Sequence, residues 1–341
     1  MPVVEHLIAD TFGTHIGKYS ERLKITQGSE TLAQAPLLHL KSVLVISRGV
    51  SISADALEAC AERGIPVFFL SGQGQCYASL YSSGLTGTVL TRRAQLLSYY
   101  DQRAIRFALA IAEGKIRNQA ATLKYLAKTR KDTQPDVYEE LHHCADEVID
   151  CILSLEQLQG ETIDEIRNYI LAAEGQAAKR YWSAVAALLP ESYDWPGREG
   201  RSATDPINSL LNYGYGILYG QIEQAIILAG LDPYAGFLHA DRPGKPSLVL
   251  DLIEEFRQVA VDRLVFGLAN RDFKVEQDER GRLSEATRHS LAEKTLEHLQ
   301  ASVRYEGKRY PLRVVIQTQA RQLAAFLRGE RDAYTAFKAT W

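Results

Sequence analysis

The spacing of apolar positions changes once along the chain. Up to about residue 83 they fall in short alternating or β-branched runs: LIAD (7–10), THIGKYS (14–20), RLKIT (22–26) and KSVLVIS (41–47). Such runs, punctuated by Gly and Ser, predict strands. One short helix is expected at 54–63, followed by two further strands in IPVFFL (65–70) and CYASLY (76–81). SSGLTG (82–87) reads as a hinge. Beyond it the period becomes helical, with apolar residues three or four apart. One long helix is expected over 90–130, weakened only at Gly114. Others are expected at 136–157, 161–189, 206–230, 247–269, 285–300 and 311–328. FKVEQDERGRLS (273–284) reads as a charged hairpin and YEGKRYP (305–311) as an irregular excursion. The pattern predicts an α+β protein: a small β-rich domain with one short helix over 1–86, then a larger helical domain over 87–341.

Length agrees, since 341 residues suggest about two domains at ~150 residues each. A hydrophobic fraction of 46% and a charged fraction of 24% exclude disordered and collagen-like classes. The four cysteines, Cys60, Cys76, Cys144 and Cys151, show no CxxC spacing. Neither a cysteine zinc site nor a disulfide framework is expected, and a reducing cytoplasm is the simpler setting. MPVVEHLIAD lacks the basic and apolar regions of a secretion signal. Residues 206–231 carry one charge, Glu223, but also Asn208, Asn212, Gln221 and Gln224. Those amides are costly in lipid, so a buried helix is expected there and no membrane span.

The net charge of −3 hides a segregation. Residues 88–131 hold ten Lys or Arg against two acids, and 132–174 hold twelve acids against Arg167 alone. Neighbouring helices could pair these charges, or the basic helix could face phosphates.

Among eight histidines, His239 stands apart. It lies in a Gly- and Pro-punctuated loop with Asp241, Arg242 and Lys245, just before a helix for which Ser247 is a fair N-cap. Asp251 and Glu254 then fall three residues apart on one helix face. Two carboxylates one turn apart beside a histidine suit Mg²⁺ or Mn²⁺. The plainer reading is an amphipathic helix with solvated acids. Glu174 sits among Ala172, Ala173, Gly175, Ala177 and Ala178, so its carboxylate is expected to be partly buried and in need of a cation or metal. An ion pair to Arg180 would also satisfy it. No P-loop, no GxSxG elbow and no dinucleotide fingerprint is present.

EGQAAKRYW (174–182), NSLLNYGY (208–215), GFLHADRPGKPS (236–247) and SLVLDLIEEFR (247–257), with VLVISRGVSISADALEACAERGIPVFFLSGQGQ (43–75), resemble the CRISPR-associated spacer-acquisition integrase family. The motifs occur in family order over most of the chain. The resemblance implies a β-sandwich-like N-terminal dimerisation domain and a helical catalytic domain with one metal site. It assigns Glu174, His239 and Glu254 as catalytic metal ligands for Mg²⁺ or Mn²⁺, with Asp251 as ligand or support. Tyr181, Trp182, Asn212, Tyr213, Lys245 and Arg257 also fall on family motif positions, as DNA-contacting or supporting residues. Arg242, beside His239, and Arg92, Arg93 and Arg103 on the basic helix are further candidates to meet DNA.

The implied reaction is insertion of short foreign DNA into a CRISPR repeat array, by attack of a 3′-hydroxyl on a phosphodiester. The implied partners are DNA, a second copy of the chain and a small ferredoxin-like CRISPR-associated protein. Two alternatives stand beside it: a metal-dependent nuclease that uses the same residues on branched or single-stranded DNA without integrating, and a non-catalytic DNA-binding scaffold, against which the intact Glu174, His239 and Glu254 argue.

Overall fold

A computed structural model describes residues 4–80, 88–200, 203–271 and 273–341. The hinge expected at 82–87 lies outside the described residues. By compactness the chain groups into two units: Met1–Leu85 with Gly200–Gly220 and Lys274–Glu297, and Thr86–Glu199 with Gln221–Phe273 and His298–Trp341.

Among the described residues the first unit holds eight strands: β1 (His6–Ala9), β2 (His15–Tyr19), β3 (Arg22–Gln27), β4 (Glu30–Pro36), β5 (Ser42–Val45), β6 (Ser51–Ile52), β7 (Val67–Leu70) and β8 (Cys76–Leu80). Helix α1 (Ala54–Glu62) is capped by the Ser53 side chain, which accepts from the Ala56 amide. One sheet runs β1-β5-β7-β8 and the other β4-β3-β2-β6. They share a core. Leu7, Ala9, Val43, Val45 and Val67 come from the first sheet, Ile16, Leu23, Ile25 and Ala35 from the second, and Ala56, Ala59 and Cys60 from α1.

Side chains alternate across a strand, so the intervening residues of the first sheet point the other way. Ile8, Leu44, Phe68 and Leu70 are nonetheless buried. That sheet pairs β1, β5 and β7 in parallel, and parallel sheets are covered on both faces. This is why its strands read as near-continuous apolar runs. The antiparallel β2–β3–β4 set is solvated on one face and shows alternation instead.

Strands β4 and β6 have no counterpart among the expected runs. In ETLAQAP only Ala35 is buried, so its pairing to β3 leaves no apolar signature.

The helical part comprises α2 (Thr88–Ser98), α3 (Gln102–Lys128), α4 (Pro135–Asp150), α5 (Ile152–Glu156), α6 (Ile163–Ala186), α7 (Pro206–Leu228), α8 (Ser247–Ile253), α9 (Arg263–Ala269), α10 (Glu285–Gln300) and α11 (Leu312–Leu327). The fold class is the expected one, strands followed by a largely helical domain, with two local corrections. The helix expected over 90–130 is broken at Tyr99–Asp101, where the Asp101 carboxylate accepts from the Arg103 amide and starts α3 afresh; Gly114 lies within α3. The excursion at 305–311 is half of a hairpin, β9 (Ser302–Tyr305) with β10 (Lys308–Pro311). The 273–284 segment does fold back on itself, with an antiparallel bridge from Gln277 to Leu283. Between α8 and α9 the helix expected over 247–269 is interrupted by a turn at 254–256, then widens into a π-helical stretch, Gln258–Asp262. Such widenings often lie at functional sites.

Candidate metal centre

The site is built on α3, α6, α8 and the loop before α8, all in the second unit. On α6 the buried positions recur as Ile163, Ile166, Ile170, Ala173, Glu174, Ala177 and Tyr181. Glu174 is thus carried inward by the period of its own helix and is 8% exposed. Glu254 follows the last residue of α8 and is 4% exposed.

Their common partner is Lys115 of α3. Its ammonium contacts Glu174 Oε1 and lies 2.6 Å from Glu254 Oε2. Glu174 Oε2 is buried with no hydrogen-bond partner. Arg257 donates from Nε to Glu254 Oε1 at 3.0 Å. Burial opposes the Glu254 charge, but Arg257 and Lys115 outweigh it and hold the carboxyl at about 2. Burial also opposes the Lys115 charge, and the two glutamates more than reverse that, raising its pKa.

Asp251 is fully buried and serves the loop. Its Oδ2 accepts from the amides of Phe237 (2.7 Å) and Leu238 (3.0 Å), and its Oδ1 from the His239 amide (2.8 Å). Oδ1 also lies 2.8 Å from His239 Nδ1. An Nδ1–H donated there leaves the lone pair on Nε2. Burial works against a charged His239 ring, but Asp251, then Glu254 and Glu174, raise its pKa above the usual value. The loop is pinned at two further points. Arg167 of α6 donates to Phe237 O at 3.1 and 3.2 Å. Ser247 Oγ accepts from the Gly236 amide and shares its proton between Tyr234 O and Asp241 Oδ1. Ser247 therefore ties the loop together and does not cap α8.

Among the described residues, no three His, Cys, Asp or Glu side chains stand close enough to cage an ion as they are. The donor chemistry nevertheless suits a hard divalent cation: two carboxylate oxygens with unused lone pairs, and an imidazole fixed through its other nitrogen. Lys115 and Arg167 were missed by sequence reasoning, because neither stands in a motif.

The DNA-contact expectations are corrected in part. Tyr181 is completely buried and donates its hydroxyl to Asp262 Oδ2 at 2.9 Å. Tyr213 is 1% exposed, its hydroxyl is buried without a hydrogen-bond partner, and burial raises its pKa. Both are packing residues. Arg103 is engaged by Asp101 and by the Leu327 carbonyl at the end of α11. Arg92, Arg93 and Arg242 are exposed, while Lys245 and Arg257 are half-buried. No described helix is long and apolar enough to cross a membrane.

A family model described as CRISPR associated protein Cas1 matches residues 7–297. The chain is 39% identical to a CRISPR-associated endonuclease Cas1 of Archaeoglobus fulgidus, over 98% of this chain and 99% of that one. Among solved structures it is similar in fold to a casposase bound to integration product, at 22% identity and a TM-score of 0.81, covering 99% of this chain and 95% of that one. It also resembles a chain of a Cas6-RT-Cas1–Cas2 complex, at 20% identity and a TM-score of 0.77, covering 98% of this chain and 36% of that longer one. With the family match spanning most of its length and a relative this similar from end to end, the chain belongs to the Cas1 family.

Proposed function

We propose that this chain is a divalent-metal-dependent DNA integrase that inserts short DNA fragments into a CRISPR repeat array. The observation that carries the reading is the pair of buried glutamates, Glu174 and Glu254, that converge on the one ammonium of Lys115, in a member of this family. Glu174, Glu254 and His239 would hold a Mg²⁺ or Mn²⁺ ion, whose chemistry is polarisation of the attacked phosphodiester and relief of the charge that builds on its oxygens. Asp251 presents His239 in the tautomer that leaves Nε2 as a donor atom. Arg257 steadies Glu254, and Arg167 holds the loop in register with α6. Arg242 and Lys245, on the loop that carries His239, and Arg92 and Arg93 on α2 bind DNA phosphates.

The reaction is a transesterification. The 3′-oxygen of the incoming strand forms a bond to phosphorus, the bond to the resident 3′-oxygen breaks, and the proton passes from the attacking to the leaving hydroxyl. The count of phosphodiesters is unchanged, so positioning and charge stabilisation are what the protein must supply. The expected partners are a second copy of the chain and a Cas2 protein, as named beside Cas1 in the solved complex. The name endonuclease carried by the relatives favours a second reading, hydrolysis without joining.

A strand-transfer assay separates the two. Purified protein and Cas2 are mixed with a labelled short duplex and a supercoiled repeat-bearing plasmid in Mn²⁺ or Mg²⁺. Label joined to the plasmid by the wild type, and absent with Glu174→Ala and His239→Ala, is expected. Cleavage without joining supports the hydrolytic reading. Joining that survives both substitutions overturns the assigned site.

A further inference from the structure

Lys115 stands where the two candidate ligands converge. Its side chain is 12% exposed, against 11% for Glu174 and 6% for Glu254. Among the described residues Glu174 has no other ion pair, whereas Glu254 has Arg257 as well. A buried carboxylate without a counter-charge is unstable, so in the metal-free protein Lys115 is the counter-charge that Glu174 meets. Yet a buried ammonium and a divalent cation repel strongly at contact distance in a poorly screened interior. Both draw on the same carboxylates, so they exclude one another.

We propose that Lys115 is a positioning residue whose ammonium fills the place between Glu174 and Glu254 until a divalent cation displaces it, so that metal loading and release of this lysine are one event. The inference rests on the metal reading given above and deepens it. Three consequences follow. The metal-free site is already charge-balanced and does not open to water. Metal binds more weakly than the same ligands would bind it without a resident cation. The side chain freed by loading is a cation that was inaccessible before.

The test is Mn²⁺ titration calorimetry on wild type, Lys115→Met, Lys115→Gln and Glu174→Ala, with melting temperatures in EDTA and in Mn²⁺. Both Lys115 variants are expected to melt lower in EDTA, to gain more on adding Mn²⁺, and to bind it at least tenfold tighter. A residue that only packed would leave metal affinity unchanged or weaken it. Mn²⁺ affinity in the Lys115 variants equal to or below wild type, with binding abolished in Glu174→Ala, overturns the inference and leaves the metal reading intact. No Mn²⁺ binding by wild type, or binding indifferent to Glu174→Ala, means that the metal reading itself has failed, and the inference with it.

A measurement on the unaltered chain covers the case in which the variants do not fold. Acetylation of Lys115 by an amine-reactive reagent, followed by peptide mass spectrometry, is expected to be slow in EDTA and several-fold faster in Mn²⁺. An equal or slower rate in Mn²⁺ overturns the displacement.

Discussion

The Asp251 carboxylate gathers three successive loop amides and one imidazole nitrogen onto two oxygens. Its charge does the work, because each partner donates. Asp251→Asn places an amide N–H against donors, and hydrogen bonds to a buried charge contribute about 1.5–3 kcal/mol each. The variant is expected to lower the urea midpoint clearly and to weaken Mn²⁺ binding by roughly 10–100-fold, the usual cost of losing a partner behind a ligating histidine. Calorimetry and chemical denaturation check both. Metal affinity equal to wild type in a folded variant would sink the role given to Asp251. The residues legible in the sequence here are those within motifs: Glu174 in a stripe of small residues, His239 in its loop, and Asp251 and Glu254 one turn apart. Lys115 was not legible. Its tie to Glu174 spans 59 positions, and a single lysine on a basic helix carries no local mark of having two buried acids to meet.

At the scale of elements, α7 and α6 make opposite use of glycine. A Cβ on Gly216 would lie 1.4 Å from the Gly74 carbonyl oxygen, a backbone atom that cannot swing aside. Gly216→Ala is expected to cost about 3 kcal/mol or more, at or beyond the upper end of overpacking penalties. A Cβ on Gly175 meets nothing within 4 Å, and in α6 alanine is the better helix former. Gly175→Ala is expected to stabilise by about 0.5–1 kcal/mol. Urea midpoints measured side by side decide both.

Helix α10 carries a pH-dependent tie to the end of β1, where His289 Nδ1 lies 2.6 Å from Asp10 Oδ2. The Asp10 carboxylate raises the His289 pKa above 6.5 against partial burial, and His289 lowers that of Asp10 below 3.8. A raised histidine contributes fully below its unfolded pKa and loses that contribution as pH rises through the folded one. The lowered aspartate contributes above its unfolded pKa and fails only on acidification. The pair is therefore at full strength between about pH 4 and 6.5, and the melting temperature should fall as pH rises beyond that window. Fluorimetric melting across the range should show a flatter profile for His289→Gln; identical profiles would remove the tie. Long helices were legible because their period repeats over many turns. Strand β4 was not, because what defines it is the ladder with β3 and not its own side chains.

Over the whole molecule, the strand-rich unit is assembled from three separate stretches of chain. Its first sheet buries Ile8, Leu44, Phe68 and Leu70 on the face away from the shared core, and a Cβ on Gly220 of α7 would meet the Phe68 ring at 3.0 Å. The change of period near residue 87 marks where strands give way to helices. It could not reveal that helical segments return to cover the strands, since only tertiary packing records that. A fragment of residues 1–86 is accordingly expected to expose this face and to aggregate or melt without a cooperative transition, as judged by light scattering and circular dichroism. A soluble fragment that unfolds cooperatively would show that the strands suffice. The same arrangement bears on synthesis. The strands are made first, and their cover arrives only with residues 200–220 and 274–297. At ribosomal rates of about 5–20 residues per second, the newborn sheet waits on the order of ten seconds or longer with an oily face open to water. A nascent-chain chaperone has that interval in which to bind it.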